Sequence, residues 1–322
     1  MLILSEEHAR ALVKASDAIG VIEETFAAMA RGQARNYPVV REVVGYQDAV
    51  FGVKTGADCA QPLLGLKAGG YWPHNAAKGL GNHQSGTLLF DPETGRAKAL
   101  VSANYLTGVR TGAASAIAAK HLSRADSTVL GMVGTGVQAT YQLQAMLAVR
   151  TIRRVRAWDP QADSLRAFGR IVTQLGLAFE PQPGPRQVAE EADVLVTVTP
   201  SQQPLIEHGW LRPGAHVCAM GADTKGKQEL ATEVVAKAAV FVDEPGQAIS
   251  IGECQHAFGA GLLTLAGLRT LGDVVAGKCA GRQSEQEITL FDGTGVALQD
   301  LAVAELAVRL ATRHGVGAKV QF

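Results

Sequence analysis

Apolar positions change their period along this chain. Ile19, Ile22, Phe26 and Met29 recur at helical spacing, and Gly32 is a stop signal. Pro38 to Val44, Ala49 to Lys54 and Leu63 to Ala68 are apolar-rich segments punctuated by Gly, Pro and Asp, which predicts strands. Thr87 to Phe90 and Arg96 to Val101 flank Asp91-Pro92-Glu93-Thr94-Gly95, and those turn formers predict a hairpin. An Ala-rich helix is expected from about Leu106 to Leu122. Beyond it, strand alternates with helix. Thr128 to Val133, Arg154 to Trp158, Val194 to Val198, Ala215 to Met220 and Ala239 to Val242 read as strands. Helices are expected around Leu143, Met146 and Leu147 and from Ala162 to Gly176. Such alternation predicts a parallel sheet covered on both faces. Ile288 to Phe291 and a helix from Ala297 to Thr312 close the chain. The expected class is therefore α/β. An antiparallel α+β unit leads, a doubly wound unit follows, and the terminal helix returns to the first unit.

The strand Thr128 to Val133 runs into Gly134-Thr135-Gly136-Val137-Gln138-Ala139, which opens a helix. In that context G-x-G-x-x-A is the dinucleotide fingerprint. The first Gly allows the tight turn, the second lets backbone approach a pyrophosphate, and Ala139 allows close helix packing. The helix N-terminus offers free N–H groups and a positive dipole end. Asp159, at the end of the next strand, is expected to accept hydrogen bonds from the ribose hydroxyls and to repel a 2′-phosphate, which favours NAD over NADP. Arg150, Arg153, Arg154 and Arg156 are rivals that would suit NADP.

Composition narrows the function classes. Over 322 residues, 30 basic and 30 acidic side chains cancel, which argues against a nucleic-acid partner. No stretch approaches the roughly 20 apolar residues of a membrane span. The start, MLILSEEHAR, lacks a basic n-region, so no signal peptide is expected. Cys59, Cys218, Cys254 and Cys279 lie far apart, which predicts neither a disulfide framework nor a zinc knuckle and fits the cytoplasm. No His spacing suggests a metal site, and His216 is expected to be structural. There is no P-loop or G-x-S-x-G elbow.

The segments Leu66-Lys67, Pro73-His74-Asn75, Gly79-Leu80, Gly86 to Gly95, Leu106-Thr107-x-x-Arg110-Thr111 and Gly134 to Ala139 resemble the ornithine cyclodeaminase/mu-crystallin family. So do Gly221-Ala222-Asp223, Gln228-Glu229-Leu230, Gly252-Glu253, Gly281-Arg282 and Thr289 to Gly295, in order over nearly the whole chain. The resemblance implies a Rossmann NAD-binding domain, 114–295, inserted into a substrate-binding and dimerisation domain made of 1–113 and the C-terminal helix, 296–322. It also implies a homodimer and a small imino or amino acid as substrate. The family's basic carboxylate-binding residues fall on Arg41, Lys67 and Arg110, with Arg35 a rival for Arg41. Arg can clamp a carboxylate with two parallel hydrogen bonds. Lys67 can also donate to a developing negative charge. Arg110 lies near a helix start that would add anion attraction. The resemblance makes Asp223 the catalytic carboxylate beside Lys67. Thr199, Pro200 and Gly221 would border the nicotinamide end, with Gly221 bare so that the ring can approach.

One segment departs from the family pattern. Gly79 to Gly86 carries Asn82, His83, Gln84 and Ser85, read as a polar loop facing the substrate side chain. A buried second carboxylate would need such partners. This predicts NADH-dependent reduction of a dicarboxylic imine, iminosuccinate, to L-aspartate, with His83 and Ser85 in the substrate site. Three alternatives stay open: an ornithine or lysine cyclodeaminase, a reductase of the alanine dehydrogenase or cyclic ketimine type, and a mu-crystallin-like binding protein without significant turnover.

Overall fold

The alternating segments near the N-terminus fold into an antiparallel sheet in the computed structural model, which describes residues 1–321. Two units divide the chain. One is residues 1–110 with the chain from Val296 onward, and the other is Thr111–Gly295. In the first unit, β1 (Leu2–Leu4), α1 (Glu6–Leu12), α2 (Ala15–Ala30), β2 (Ala34–Asn36) and β3 (Val40–Val43) are followed by β4 (Val50–Asp58), β5 (Leu63–Tyr71), β6 (His83–Phe90) and β7 (Ala97–Ser102). Strand order is Ala318–Lys319, β1, β7, β6, β5, β4, β2, with β3 also on β4. Only β1 and β7 pair in parallel.

The expected hairpin joins β6 and β7. Asp91 Oδ1 accepts the N–H groups of Glu93 and Thr94 at 2.9 and 3.1 Å, and Gly95 takes φ +70°. Helix Ala297–His314 packs on β4, β5 and β6. Gly65 lets it come close, since a Cβ there would lie 2.6 Å from the Leu88 carbonyl and 3.0 Å from Leu301. Asn36 Oδ1 accepts the Leu298 N–H at 3.0 Å, filling one of the helix's otherwise open first-turn donors.

β6 begins earlier than the polar-loop reading expected. His83, Gln84 and Ser85 pair with Tyr71, Gly70 and Gly69. Gly69 permits this, because a Cβ there would sit 2.5 Å from the Gln84 carbonyl and 2.4 Å from Ser85 Cβ. The three-residue strands β1 and β2 and helix α1 were also missed. Each is too short for a periodic signal.

The second unit holds an all-parallel sheet in the order Ala178–Pro181, Arg154–Trp158, Val129–Val133, Val194–Thr197, His216–Ala219, Thr289–Asp292, Ala239–Val242, Arg269–Thr270. The direction of winding reverses between Val129–Val133 and Val194–Thr197. The carboxyl ends of those two strands therefore flank the crevice where such sheets bind ligands. Thr289–Asp292 inserts between His216–Ala219 and Ala239–Val242, an order that sequence distance does not reveal.

Candidate active site

Strand pairing decides which basic residues share a surface. Successive side chains on a strand alternate faces, so register fixes each one's side. Arg41 pairs with Gly52, Gly52 with Gly69, and Gly69 with Ser85. The adjacent row is Lys54, Lys67 and Thr87. Arg41, Lys54, Lys67 and Ser85 thus lie on one face, and His83 shares it two residues along from Ser85. Arg35 pairs with Ala57 and lies on the opposite face, which separates it from Arg41. Gly52 and Gly69 leave a stretch without side chains between Arg41 and Ser85.

α3 (Asn104–Leu122) and the C-terminal helix bring further groups to this face. Lys67 Nζ donates to Thr107 Oγ1 at 2.7 Å and to Asp300 Oδ1 at 3.2 Å. Arg110 Nε donates to the same Asp300 oxygen at 3.0 Å, and its Nη1 to Gln299 Oε1 at 3.2 Å. All three charged groups are buried. Burial pulls Lys67 down to about 8, with Arg110 and Lys54 adding and Asp300 opposing. Burial alone would raise Asp300, but Arg110, Lys67 and Lys54 outweigh it and hold its carboxyl at about 2. Asp300 and Lys54 escaped the sequence reading. An Asp directly before the apolar run Leu301 to Ala304 was the available signal.

Two expectations need correction here. The start of α3 does not offer open anion attraction, because the Tyr105 N–H already donates to Glu6 Oε1 at 2.8 Å. The polar quartet also does not act together. Asn82 Oδ1 accepts the Ala76 N–H, and Gln84 Nε2 donates to the Gly81 carbonyl, so both brace their own loop. His83 and Ser85 alone register onto the Lys67 face.

In the second unit, Gly134 takes φ +92°, and a Cβ on it would lie 2.8 Å from both Thr199 Cγ2 and the Val198 carbonyl. Gly136 is the N-cap of helix Val137–Leu147, which has no side-chain cap, and the space beside its Cα is open. Gln138 Oε1 is buried without a partner in this unit's protein atoms. A helix N-terminus without a side-chain cap and a bare glycine fit a dinucleotide's pyrophosphate. Asp159 Oδ2 accepts from the Thr135 amide at 2.7 Å and hydroxyl at 3.0 Å, and Oδ1 from the Gln161 amide at 2.8 Å. It therefore shapes the turn, and its remaining lone pairs are what a ribose could use.

Three of the four arginine rivals, Arg150, Arg154 and Arg156, are engaged elsewhere. Arg150 caps carbonyls of Ala119, Lys120, Ser123 and Arg124. Arg154 and Arg156 pair with Glu180 and Glu191.

Glu229 joins the carboxyl ends of the strands Val194–Thr197 and His216–Ala219. Its Oε1 accepts the Thr199 N–H at 2.6 Å; its Oε2 accepts from Thr197 Oγ1 at 2.7 Å and the Gly221 N–H at 2.9 Å. A Cβ on Gly221 would meet the Thr199 carbonyl at 2.3 Å and Glu229 Cδ at 2.5 Å. Packing against the Thr199 carbonyl and Glu229 thus requires this glycine. Pro200 follows Thr199 and is exposed. Asp223, two residues past Gly221, is partly exposed, and its Oδ1 accepts from Lys227 Nζ at 2.7 Å and Thr224 Oγ1 at 3.1 Å. Lys227, four residues away, was not singled out in the sequence.

His216 is fully buried, its Nδ1 2.9 Å from Thr289 Oγ1, and burial drops it to about 3. Among the described residues no group of three or more His, Cys, Asp or Glu could hold a metal, and no helix is long and apolar enough to cross a membrane.

Residues 1–312 match the model of the ornithine cyclodeaminase/mu-crystallin family. The chain belongs to that family. Over the full length of both proteins it is 47% identical to the iminosuccinate reductase of Paracoccus denitrificans (strain Pd 1222). The crystal structure of that enzyme with NAD+ superposes with a TM-score of 0.95 at 46% identity, covering 100% of this chain and 99% of that one. Thermococcus litoralis Delta(1)-pyrroline-2-carboxylate reductase, in complex with NADH and L-proline, gives a TM-score of 0.96 at 30% identity, covering 99% and 100%.

Proposed function

We propose that this chain is an NADH-dependent reductase of a small imino acid, with iminosuccinate reduced to L-aspartate. The observation that carries the reading is the cationic face formed by Arg41, Lys54 and Lys67 of the sheet with Arg110 of α3, where Asp300 accepts from Lys67 and Arg110. Such a face suits an anion. A cyclodeaminase would need a carboxylate for a distal ammonium.

Residues 134–139, with Asp159, Thr199, Pro200 and Gly221, hold the dinucleotide. NADH supplies the hydride when bound. Lys67, Arg110 and Arg41 bind and orient the substrate's α-carboxylate through charge-assisted hydrogen bonds. Asp223 manages the proton of the substrate nitrogen, steadied by Lys227. As the C=N carbon gains hydride, the nitrogen keeps or gains the proton that makes it an amine.

The test is NADH oxidation with ammonium and oxaloacetate, pyruvate or glyoxylate, alongside a cyclic ketimine, and NAD+ with ornithine. Fast turnover with oxaloacetate plus ammonium, and slower use of NADPH, is expected. Turnover with ornithine instead would replace the reading with a cyclodeaminase. No turnover on any substrate would make the chain a binding protein.

The same reading includes a homodimer. The sheet face opposite Lys67 carries Val40, Phe51, Leu66, Leu88 and Leu100, with Val40 56% exposed and Phe51 and Leu100 each 41%. An apolar sheet face of this kind wants a cover, and a second copy provides one by symmetry. Light scattering should give about twice the 33.7 kDa chain mass, and Leu66→Asp should give the single mass. A monomeric wild type at micromolar concentration would overturn this.

A further inference from the structure

We propose that Glu229 is a positioning residue for the nicotinamide end of the dinucleotide, holding in place the two chain segments, at Thr199 and Gly221, that flank it. The inference rests on the reductase reading above. The parallel sheet sets the direction. Asp159 follows the strand Arg154–Trp158, Gly134 follows Val129–Val133, Thr199 lies two residues past Val194–Thr197, and Gly221 two past His216–Ala219. These four strands are consecutive neighbours in the sheet, about 4.8 Å apart. With a ribose at Asp159 and the pyrophosphate at the Gly134 turn, the rest of a dinucleotide runs on toward Thr199 and Gly221. Thr199 adjoins that turn, since a Cβ on Gly134 would lie 2.8 Å from its Cγ2.

Glu229 is fully buried and reaches both segments at once, its two oxygens accepting from Thr197, Thr199 and Gly221. Gly221 is held from both sides, because its carbonyl accepts from Lys227 Nζ at 3.1 Å. The backbone of Glu229 is fixed as well. Glu253, also buried, accepts the Glu229 N–H at 3.0 Å and the Leu230 N–H at 2.7 Å, and the Gln228 N–H donates to the Ser201 carbonyl at 3.0 Å. Burial raises both carboxyls, and Glu229 raises Glu253 further. Burying two such neighbours is costly, and apolar packing would hold the fold as well. What a carboxylate adds is geometry: it fixes three donors from two strand ends at one point. Asp223, two residues beyond Gly221, shares that placement.

The variants are Glu229→Gln, which keeps the shape but turns one acceptor into a donor, and Thr197→Val, which keeps the shape and removes one of the three donors. Two sets of readouts are taken on the intact protein. Without cofactor, amide hydrogen exchange at Thr199 and Gly221 should quicken about tenfold or more in Glu229→Gln. ADP, which reaches only the Asp159 and Gly134 side, should still bind within about twofold of wild type. With NADH and the imine that the wild type reduces fastest, single-turnover loss of NADH absorbance should slow about 10–100-fold in Glu229→Gln, as a misplacement of about 1 Å would cause. Thr197→Val should slow it less. Deuterium at the transferred position should slow it further, which identifies the step as hydride transfer. Faster exchange with an unchanged hydride step, or ADP binding lost in proportion to the hydride rate, would make Glu229 merely structural and leave the reductase reading standing. If Glu229→Gln does not fold, Thr197→Val decides, and an unchanged hydride step there overturns the inference. A wild type that oxidises no NADH with any imine would overturn that reading and this inference together.

Discussion

Lys67→Met should lower kcat/KM for the imine about 10²–10³-fold, the cost of removing one preorganised donor from a site of developing charge. Methionine keeps length and burial but carries no cation. Asp300 retains Arg110, so the fold should survive, and NADH binding, which draws on residues of the Rossmann unit, should change less than twofold. Protonation of Lys67 adds a second readout. With its pKa near 8, the ammonium is present below that pH and lost above it. Succinate inhibition of the wild type should therefore weaken as pH rises through about 8, while Lys67→Arg should show no such limb. An unchanged kcat/KM in Lys67→Met, or a pH limb that persists in Lys67→Arg, would remove Lys67 from the site. Folding stability moves the other way. The unfolded chain binds this proton up to about 10.5, so between 8 and 10.5 Lys67 makes stability rise with pH.

Asp300→Asn should cost about 3–5 kcal/mol of unfolding free energy at pH 7, because it leaves Lys67 and Arg110 buried as two uncompensated cations. The acid limb carries the sign. Asp300 sits at about 2 in the fold against 3.8 normally. Its contribution is complete above about pH 4 and disappears as pH falls toward 2. A depression of that size is worth about 2.5 kcal/mol. Urea unfolding at pH 7, 4 and 2.5 should show the wild type losing this increment and Asp300→Asn lacking it. Equal stability of the two proteins at pH 7 would mean that the three groups do not act as one buried cluster.

Neither residue was equally visible in the chain. Lys67 stood in an apolar strand within a family motif. Asp300 lay 233 positions away in the first turn of the C-terminal helix. Arg41 and Arg35 were indistinguishable as basic residues of neighbouring segments, and only the parity of their pairing with β4 separates them. A one-residue slip would have reversed the answer. The polar run Asn82 to Ser85 looked like one binding loop, but its backbone joins a strand and sends alternate side chains to different tasks.

What the sequence determined by itself is what a few consecutive residues can enforce. The Asp91–Gly95 turn and the strand–helix alternation after Thr128 arise from backbone sterics and local hydrogen bonds. These act over two to six residues and need no distant partner. The tertiary structure alone decided the sharing of Asp300 by Lys67 and Arg110, the opposition of Lys54 to Lys67, and the bridge by Glu229 between Thr199 and Gly221. Each depends on strand register or helix docking, where the partner's place is set by the burial of apolar faces, not by its distance along the chain.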